Sequence, residues 1–552
     1  MTTTTAPPAA PEQAVRRGGN SLTGTATMIR FMLRRDRVRI PVWILALTFA
    51  AVSTLANFEQ TYSTVADRQS AVDLLELPAM VAMVGPNYAA DEYTFGAMLG
   101  HQMFIFMAAV FALMSVLLFV RHTRAEEEAG RSELIRSSVL GRHAQTAAAL
   151  LVVGGTNVVT GLLTALAISG SSAEGVTTSG AFIFGMGLAL VGVTFMAIAA
   201  VTVQVTEYSR GASGMALAVL GAAYAVRAVG DVGDNGLSWL SPLYWGFTTR
   251  SFSSSERAWP LLLLVAVAAI MIVVAVYLST RRDVGAGLRP PRLGSPSAPD
   301  SLSSPLGLAM RLQRANVLGW AVGLALFGLM YGSILDGADE MFEQISALQD
   351  MVADVEGAGL VESWVATVMS FLAMIVSIQA ILAVHRLRVE ESRGRAEPVL
   401  ATAVSRRDWM ASHLTVAFVG SAIVMLAAGI GFGATGAIVT EDGALFADML
   451  LAATAQIPAI WVAVGLAAAL FGVLPRLGSV AWIIPIYGLV IVYMGGVLGL
   501  DPATKNYSPF GHVPELPAAD FEVLPLLILL AVAVVLTLVG LAGFRRRDLE
   551  TK

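Results

Sequence analysis

Long uncharged apolar runs alternate with short charged loops along nearly the whole chain. Twelve runs are long enough to cross a hydrocarbon core, which takes about 20 helical residues. They cover 41–58, 102–120, 145–169, 181–203, 214–229, 259–279, 317–334, 363–384, 414–439, 446–474, 480–500 and 523–543. Six lie on each side of a polar stretch near the middle. The pattern therefore predicts an all-α membrane protein of twelve transmembrane helices, arranged as two homologous six-helix halves, a pseudo-dimer in one chain. Gly and Pro interrupt several runs, which membrane helices tolerate better than soluble ones, so the pattern sets positions more firmly than ends.

Between the runs the pattern changes. Residues 1–20, rich in Thr, Pro and Ala, read as a disordered tail without the apolar core of a signal peptide. The first half then takes 21–282, a Pro/Gly/Ser-rich linker 283–305, and the second half 306–552. Each half opens with a basic amphipathic stretch, Met28 to Arg39 and Leu306 to Arg314. These predict helices lying in the membrane interface, with Met28, Phe31 and Met32 on one face and Arg heads at lipid phosphates. Between the seventh and eighth runs, 336–362 holds eight acids and no base, yet Met341, Ile345, Leu348, Val352 and Val355 recur at helical spacing. That predicts an amphipathic capping helix with a solvated acidic face. The related segment of the first half, 59–100, is broken at Pro78 and Pro86.

What repeats most closely is a charged loop. At a constant offset of 264 residues, Glu126, Glu127, Gly130, Arg131, Glu133 and Arg142 fall on Glu390, Glu391, Gly394, Arg395, Glu397 and Arg406. Ser241-Pro242 and Ser508-Pro509, Arg210 and Arg476, and Arg281-Arg282-Asp283 and Arg546-Arg547-Asp548 repeat at nearly the same offset. Internal duplication of a membrane unit is the reading. Within the loop, 132–142 and 396–406 read as short amphipathic helices. Leu134, Ile135 and Val139 share one face of the first, as Val399, Leu400 and Ala403 do of the second. Pro398 suits a first turn, and Gly130 and Gly394 permit a sharp exit from the preceding span.

Charge sets the orientation. All of the 35 basic residues except Arg68, Arg227, Arg250, Arg257 and Lys505 lie on the side that carries both termini and the repeated loop. Lys and Arg favour the cytoplasm, so both termini and the loop are expected inside a multi-pass cell-membrane protein. A hydrophobic fraction of 56%, a charged fraction of 14% and a mean hydropathy of +0.70 agree with a membrane home. The near absence of Lys beside abundant Arg suggests a high-GC bacterial source.

Composition also removes chemistries. Without cysteine there is no disulfide, thiol catalysis or Cys-ligated metal. The six histidines, His101, His122, His143, His385, His413 and His512, lack ligand spacing. A P-loop needs Lys at the terminal phosphates, and only Lys505 and Lys552 exist. The chain is thus expected to be no enzyme and to bind no cofactor itself. Ion-coupled carriers usually hold intramembrane carboxylates, whereas the acids here sit in loops or at span ends. Arg227 is the exception among the bases; it either lines a substrate path, snorkels to the outer interface, or pairs with Asp231 or Asp234.

At the repeated loop the chain resembles the permeases of type-2 ATP-binding-cassette exporters. The residues that carry the resemblance are Glu127, Gly130, Arg131, Glu133, Leu134, Ile135 and Arg142, then Glu391, Gly394, Arg395, Glu397, Val399, Leu400 and Arg406. Fused twelve-span members look like the tetronasin-resistance, or polyketide-antibiotic exporter, branch. The resemblance implies that the short loop helices are coupling helices against a homodimer of a separate ATPase, which would hold ATP and Mg. It implies export of a hydrophobic small molecule, with membrane lipids as surroundings and no nucleic acid partner. The first copy departs from the pattern in lacking a Pro and in Gly141. An ion-coupled secondary multidrug carrier is the alternative, and a membrane scaffold or lipid-modifying enzyme a third class.

Overall fold

The computed structural model describes residues 21–62, 64–76, 78–130, 140–283, 285–289, 294–333, 335, 359–494 and 502–549. Two compact units result, Met1–Leu293 and Gly294–Lys552, and the division falls inside the expected linker. Among the described residues there is no strand, and eleven helices are long and apolar enough to cross a membrane.

The first unit has its spans at Arg39–Thr61, Phe95–Glu128, Ala144–Ser169, Thr178–Val205, Ser209–Val232 and Pro260–Ser279. The fourth is the hub, packing against the second, third, fifth and sixth. Its start is set by Thr177, whose side chain accepts the N–H of Gly180 at 3.0 Å and so satisfies a free donor of the first turn. Third and fourth spans approach so closely that a Cβ on Gly161 or Gly185 would lie 2.3 Å from the other's carbonyl oxygen. Backbones without side chains between them are how helices gain packing where lipid offers no hydrophobic drive. The second and fourth spans are 67% buried and the sixth 17%; the sixth shows Leu262, Val265, Ile270 and Val273 outward, as a lipid-facing helix must.

The segment joining the first two spans breaks where its prolines place breaks. Pro78 begins the helix Pro78–Val84, and Gly85-Pro86 ends it. Beyond it the second span opens with the α-turn Phe95–Met98 and a π-helical turn, Leu99–Met103, before Phe104–His122. There buried His101 bonds the Tyr93 hydroxyl at 2.8 Å and the Gly85 carbonyl at 2.9 Å. Burial pushes the phenols of Tyr88 and Tyr93 well above their ordinary range, so both remain protonated.

In the second unit the spans are Pro305–Gly332, Val361–Ser392, Arg406–Val439, Ala444–Val473 and Val523–Arg546. The fourth span is again a hub, touching the second, third and sixth. Over 480–500, where a twelfth membrane helix is expected, the described residues give 3-10 turns at Pro475–Trp482 and the shorter helix Ile483–Met494. Pro475 and Pro485 sit in the first turns of the 3-10 stretch and of the helix Ile483–Met494, positions where a missing N–H costs least.

The two opening stretches differ from expectation and from each other. In the first unit Thr25–Arg35 is a separate helix packed on the third span, with Met28 and Met32 buried. Phe31, expected on that face, is 45% exposed. In the second unit no separate interfacial helix forms: Pro305–Gly332 runs unbroken through the basic stretch into the first span. The break in the first unit falls at Asp36, whose buried carboxylate accepts from Arg121 at 3.2 Å. The corresponding stretch 311–320 has no acid to interrupt it. The linker is also less free than its composition implies, since the N–H groups of Leu288 and Arg289 donate to the carbonyls of Gln204 and Val205 at 2.9 and 3.0 Å. The acidic capping helix expected over 336–362 and the tail 1–20 lie almost wholly or wholly outside the described residues.

Candidate functional site: the repeated charged loop

Both copies of the loop leave the second span through a left-handed glycine. Gly130 has φ +70° and Gly394 φ +67°. At the second copy the helix ends in a Schellman turn: Arg395 N–H donates to the Glu390 carbonyl at 3.0 Å and Gly394 N–H to that of Glu391 at 2.9 Å. Gly130 repeats the second bond, to Glu127 at 3.0 Å.

The paired acids just before the glycine are anchored inside their own unit. Glu127 takes a two-pronged fork from Arg282, with both Nη atoms 2.9 Å from a carboxylate oxygen, and Arg124 adds a further contact. Glu391 takes the same fork from Arg547, both bonds 2.7 Å. Glu126 is paired with Arg35 of the opening helix. Glu390 is met by Arg395, with Nε at 2.8 Å, and by Arg386, with Nε at 2.7 Å. A guanidinium fork matches a carboxylate in plane and doubles the charge-assisted bond, which Lys cannot do.

At the exit, Arg142 lies in the turn before the third span and donates to the Thr280 carbonyl at 3.1 Å, at the end of the sixth. Arg406 is not on the short loop helix, as 396–406 implied, but is the first residue of the third-span helix. Its Nη1 donates to the Arg547 carbonyl at 2.7 Å. The reason is Ser405, which is extended and caps that helix by accepting the Asp408 N–H at 3.1 Å. The loop helix proper is only Ala396–Leu400, with Pro398 in its first turn as expected. Ala396 is buried, Val399 and Leu400 pack partly on the core, and Glu397, Pro398, Thr402 and Ala403 are exposed. Arg131 and Glu133, with most of the first loop helix, lie outside the described residues.

Arg227 takes the pairing alternative. It is fully buried and donates to Asp231 at 2.8 Å and to the carbonyls of Ala82 and Met83. Ser238 completes the cluster by donating to Asp231 at 2.6 Å. Sequence reasoning noted Arg282 and Arg547 only as repeated landmarks; their near-common offset with Glu127 and Glu391 was the signal that they belong to the same construction. It missed a polar pair buried between second and third spans, Ser115 and Asn157, where Asn157 Nδ2 donates to Ser115 at 2.8 Å. Gln379 and Ser421, the residues 264 further on, are buried too.

Membrane-length helices in two like units, joined to a charged loop built twice, define a multi-pass membrane protein of duplicated design. The family profile described as Multidrug efflux system permease Rv1217c, C-terminal domain, matches in two parts, residues 26–278 and 302–545. The Multidrug efflux system permease protein Rv1217c of Mycobacterium tuberculosis (strain ATCC 25618 / H37Rv) is 39% identical over 540 residues, 96% of each chain. The chain belongs to this family of multidrug efflux system permeases.

Proposed function

We propose that the chain is the membrane subunit of an ATP-driven exporter of hydrophobic or amphiphilic compounds, coupled at its repeated loops to two copies of a separate ATPase. The observation that carries this reading is the division of labour in the loop. Glu126, Glu127, Glu390, Glu391, Arg142 and Arg406 are engaged by bonds within their own unit, while in the second copy Glu397, Pro398, Thr402 and Ala403 stand exposed on and just after a short helix. Such an element suits a groove in another protein. The relative's description as part of a multidrug efflux system supports the export direction and the substrate class. On this reading ATP and Mg are held by the partner, the loops face the cytoplasm, and the source is a bacterium akin to mycobacteria.

The ion-coupled carrier is the weaker reading on a specific count. Every carboxylate buried among the described residues, Asp36, Glu126, Asp231, Glu390 and Glu391, already has a basic partner. None is left to bind and release a driving ion. The test is drug efflux from cells expressing the chain with a candidate partner ATPase, intact or with the P-loop Lys of that ATPase replaced. Efflux is expected only with the intact ATPase, and the chain purified alone is expected to release no phosphate. Efflux that persists without the ATPase and follows the proton gradient would overturn the reading.

A further inference from the structure

Each loop grips the end of its own sixth span twice, once from its entry and once from its exit. Glu127 and Glu391 close the second span; Arg142 and Arg406 precede or open the third. All four reach the same target, the residues at and just past the end of the sixth span: Arg282 with the carbonyls of Ser279 and Thr280 in one unit, Arg547 in the other. The forks are largely shielded, with side-chain exposures of 7% and 9% for Glu127 and Arg282, and 4% and 14% for Glu391 and Arg547. An arginine that served only to orient the membrane insertion would keep its charge in water. Here the charge is spent on a planar, two-bond match made twice. Within its unit the sixth span otherwise packs chiefly along the fourth; in the second unit it also meets the third directly, where Phe544 stacks on Trp409 at 5.6 Å, and the fork adds a tie to the second.

We propose that Arg282 and Arg547 are positioning residues that make each sixth span part of the coupling element. A displacement imposed on the loop is delivered through the fork to the sixth span's end, together with the second and third spans that flank the loop. This rests on the reading of the loops as ATPase contacts. Three guanidinium features serve the role: it stays charged at any physiological pH, its five donors allow Arg282 to hold Glu127, Gln204 and the Ala286 carbonyl at once, and its plane fixes direction as well as distance. Arg547 also lies against the paired rings of Phe471 and Phe544, 4.9 and 5.0 Å from their centres, which holds the fork in register.

The experiment uses the full permease with its ATPase in proteoliposomes and four variants: Glu391→Arg, Arg547→Glu, both together, and Arg547→Lys. The readouts are the amount of permease in the membrane, ATP hydrolysis, and compound exported per ATP hydrolysed. Arg547→Lys keeps the charge and loses the fork, so export per ATP is expected to fall about tenfold, the size of a typical coupling between sites. Hydrolysis should fall less. The exchanged pair should recover export to within about threefold of wild type while each single reversal does not, as expected when the two residues act as one unit. An exchange no better than the single reversals would overturn the proposal. So would Arg547→Lys lowering export, hydrolysis and membrane content in step, which is the mark of a brace needed only for folding. If wild-type export proves independent of the ATPase, the functional reading fails, and recovery of export by the exchanged pair still decides whether the fork positions the sixth span.

Discussion

Asp231→Ala is the sharpest probe of whether Arg227 serves architecture or transport. The substitution removes the acceptor 2.8 Å from the Arg227 guanidinium and 2.6 Å from the Ser238 hydroxyl, and leaves a guanidinium with no exposure to water. The carbonyls of Ala82 and Met83 still accept from it but bring no countercharge. Breaking a buried pair from one side costs about 3–5 kcal/mol, because the surviving charge stays desolvated. For a unit of this size a kcal/mol moves the unfolding midpoint by about 2–4 °C, so the fall should be about 10 °C. Ser238→Ala removes one bond to a charged acceptor, worth about 1.5–3 kcal/mol, and should fall roughly half as far. Replacing both Arg227 and Asp231 by Leu should recover much of the loss, since no lone charge remains buried. The assay is tryptophan fluorescence of the protein in detergent, heated at one scan rate because membrane proteins rarely refold on cooling. A midpoint for Asp231→Ala within about 2 °C of wild type, less than 1 kcal/mol, would refute the argument. An altered spectrum of exported compounds at unchanged stability would move Arg227 from the scaffold to the transport route.

Gly394→Ala should cost about 1–2 kcal/mol purely through its backbone, because φ is +67° and nothing lies within 4 Å of the added Cβ; Gly394→Asn should cost less, and equal melting of Ala and wild type would contradict the turn's assignment. Glu397→Ala should leave stability within about 0.5 kcal/mol, as expected for an exposed site, yet weaken capture of the ATPase in a pull-down. Undiminished capture would remove Glu397 from the docking surface. Reversal at Arg406, partly buried against the Arg547 carbonyl, should reduce ATPase capture more than reversal at Arg142, which is exposed; equal losses at equal membrane content would show that the two loops dock alike.

Span positions were legible because a hydrocarbon slab asks for little besides some twenty apolar residues. Span ends were not, since helices such as Val361–Ser392 and Arg406–Val439 run past the apolar run on charged residues bonded outside it. The duplication was legible as an offset, and so was the left-handed exit at Gly130 and Gly394, a local requirement written in one residue type. The forks were hidden for the opposite reason: Glu127 and Arg282 are 155 residues apart and Glu391 and Arg547 156, so nothing local couples them. The length of the loop helix was misread because Ser405 carries two messages, a place in a helical pattern and a cap for the next helix. Capping won, since it satisfies a backbone donor.

What the two copies keep and what they change separates shared function from local accommodation. Both keep the fork to the sixth span, although Arg282 and Arg547 sit in different surroundings, one bonded to Gln204 and the other stacked on Phe471 and Phe544. They differ in how the neighbouring acid is neutralised. Glu126 draws on Arg35, which belongs to the opening helix, and Asp36 beside it draws on Arg121 at the end of the second span. Those ion pairs bend the chain between Thr25–Arg35 and Arg39–Thr61 and tie the opening helix to the loop. Glu390 is satisfied by Arg386 and Arg395, one turn before it and one turn after. The opening helix of the second unit is thus released from that duty and runs straight into its span. The first loop is thereby ion-paired to its opening helix, whereas Glu390 draws its basic partners from positions 386 and 395 beside it, so the two copies share the fork and differ in what else the loop holds.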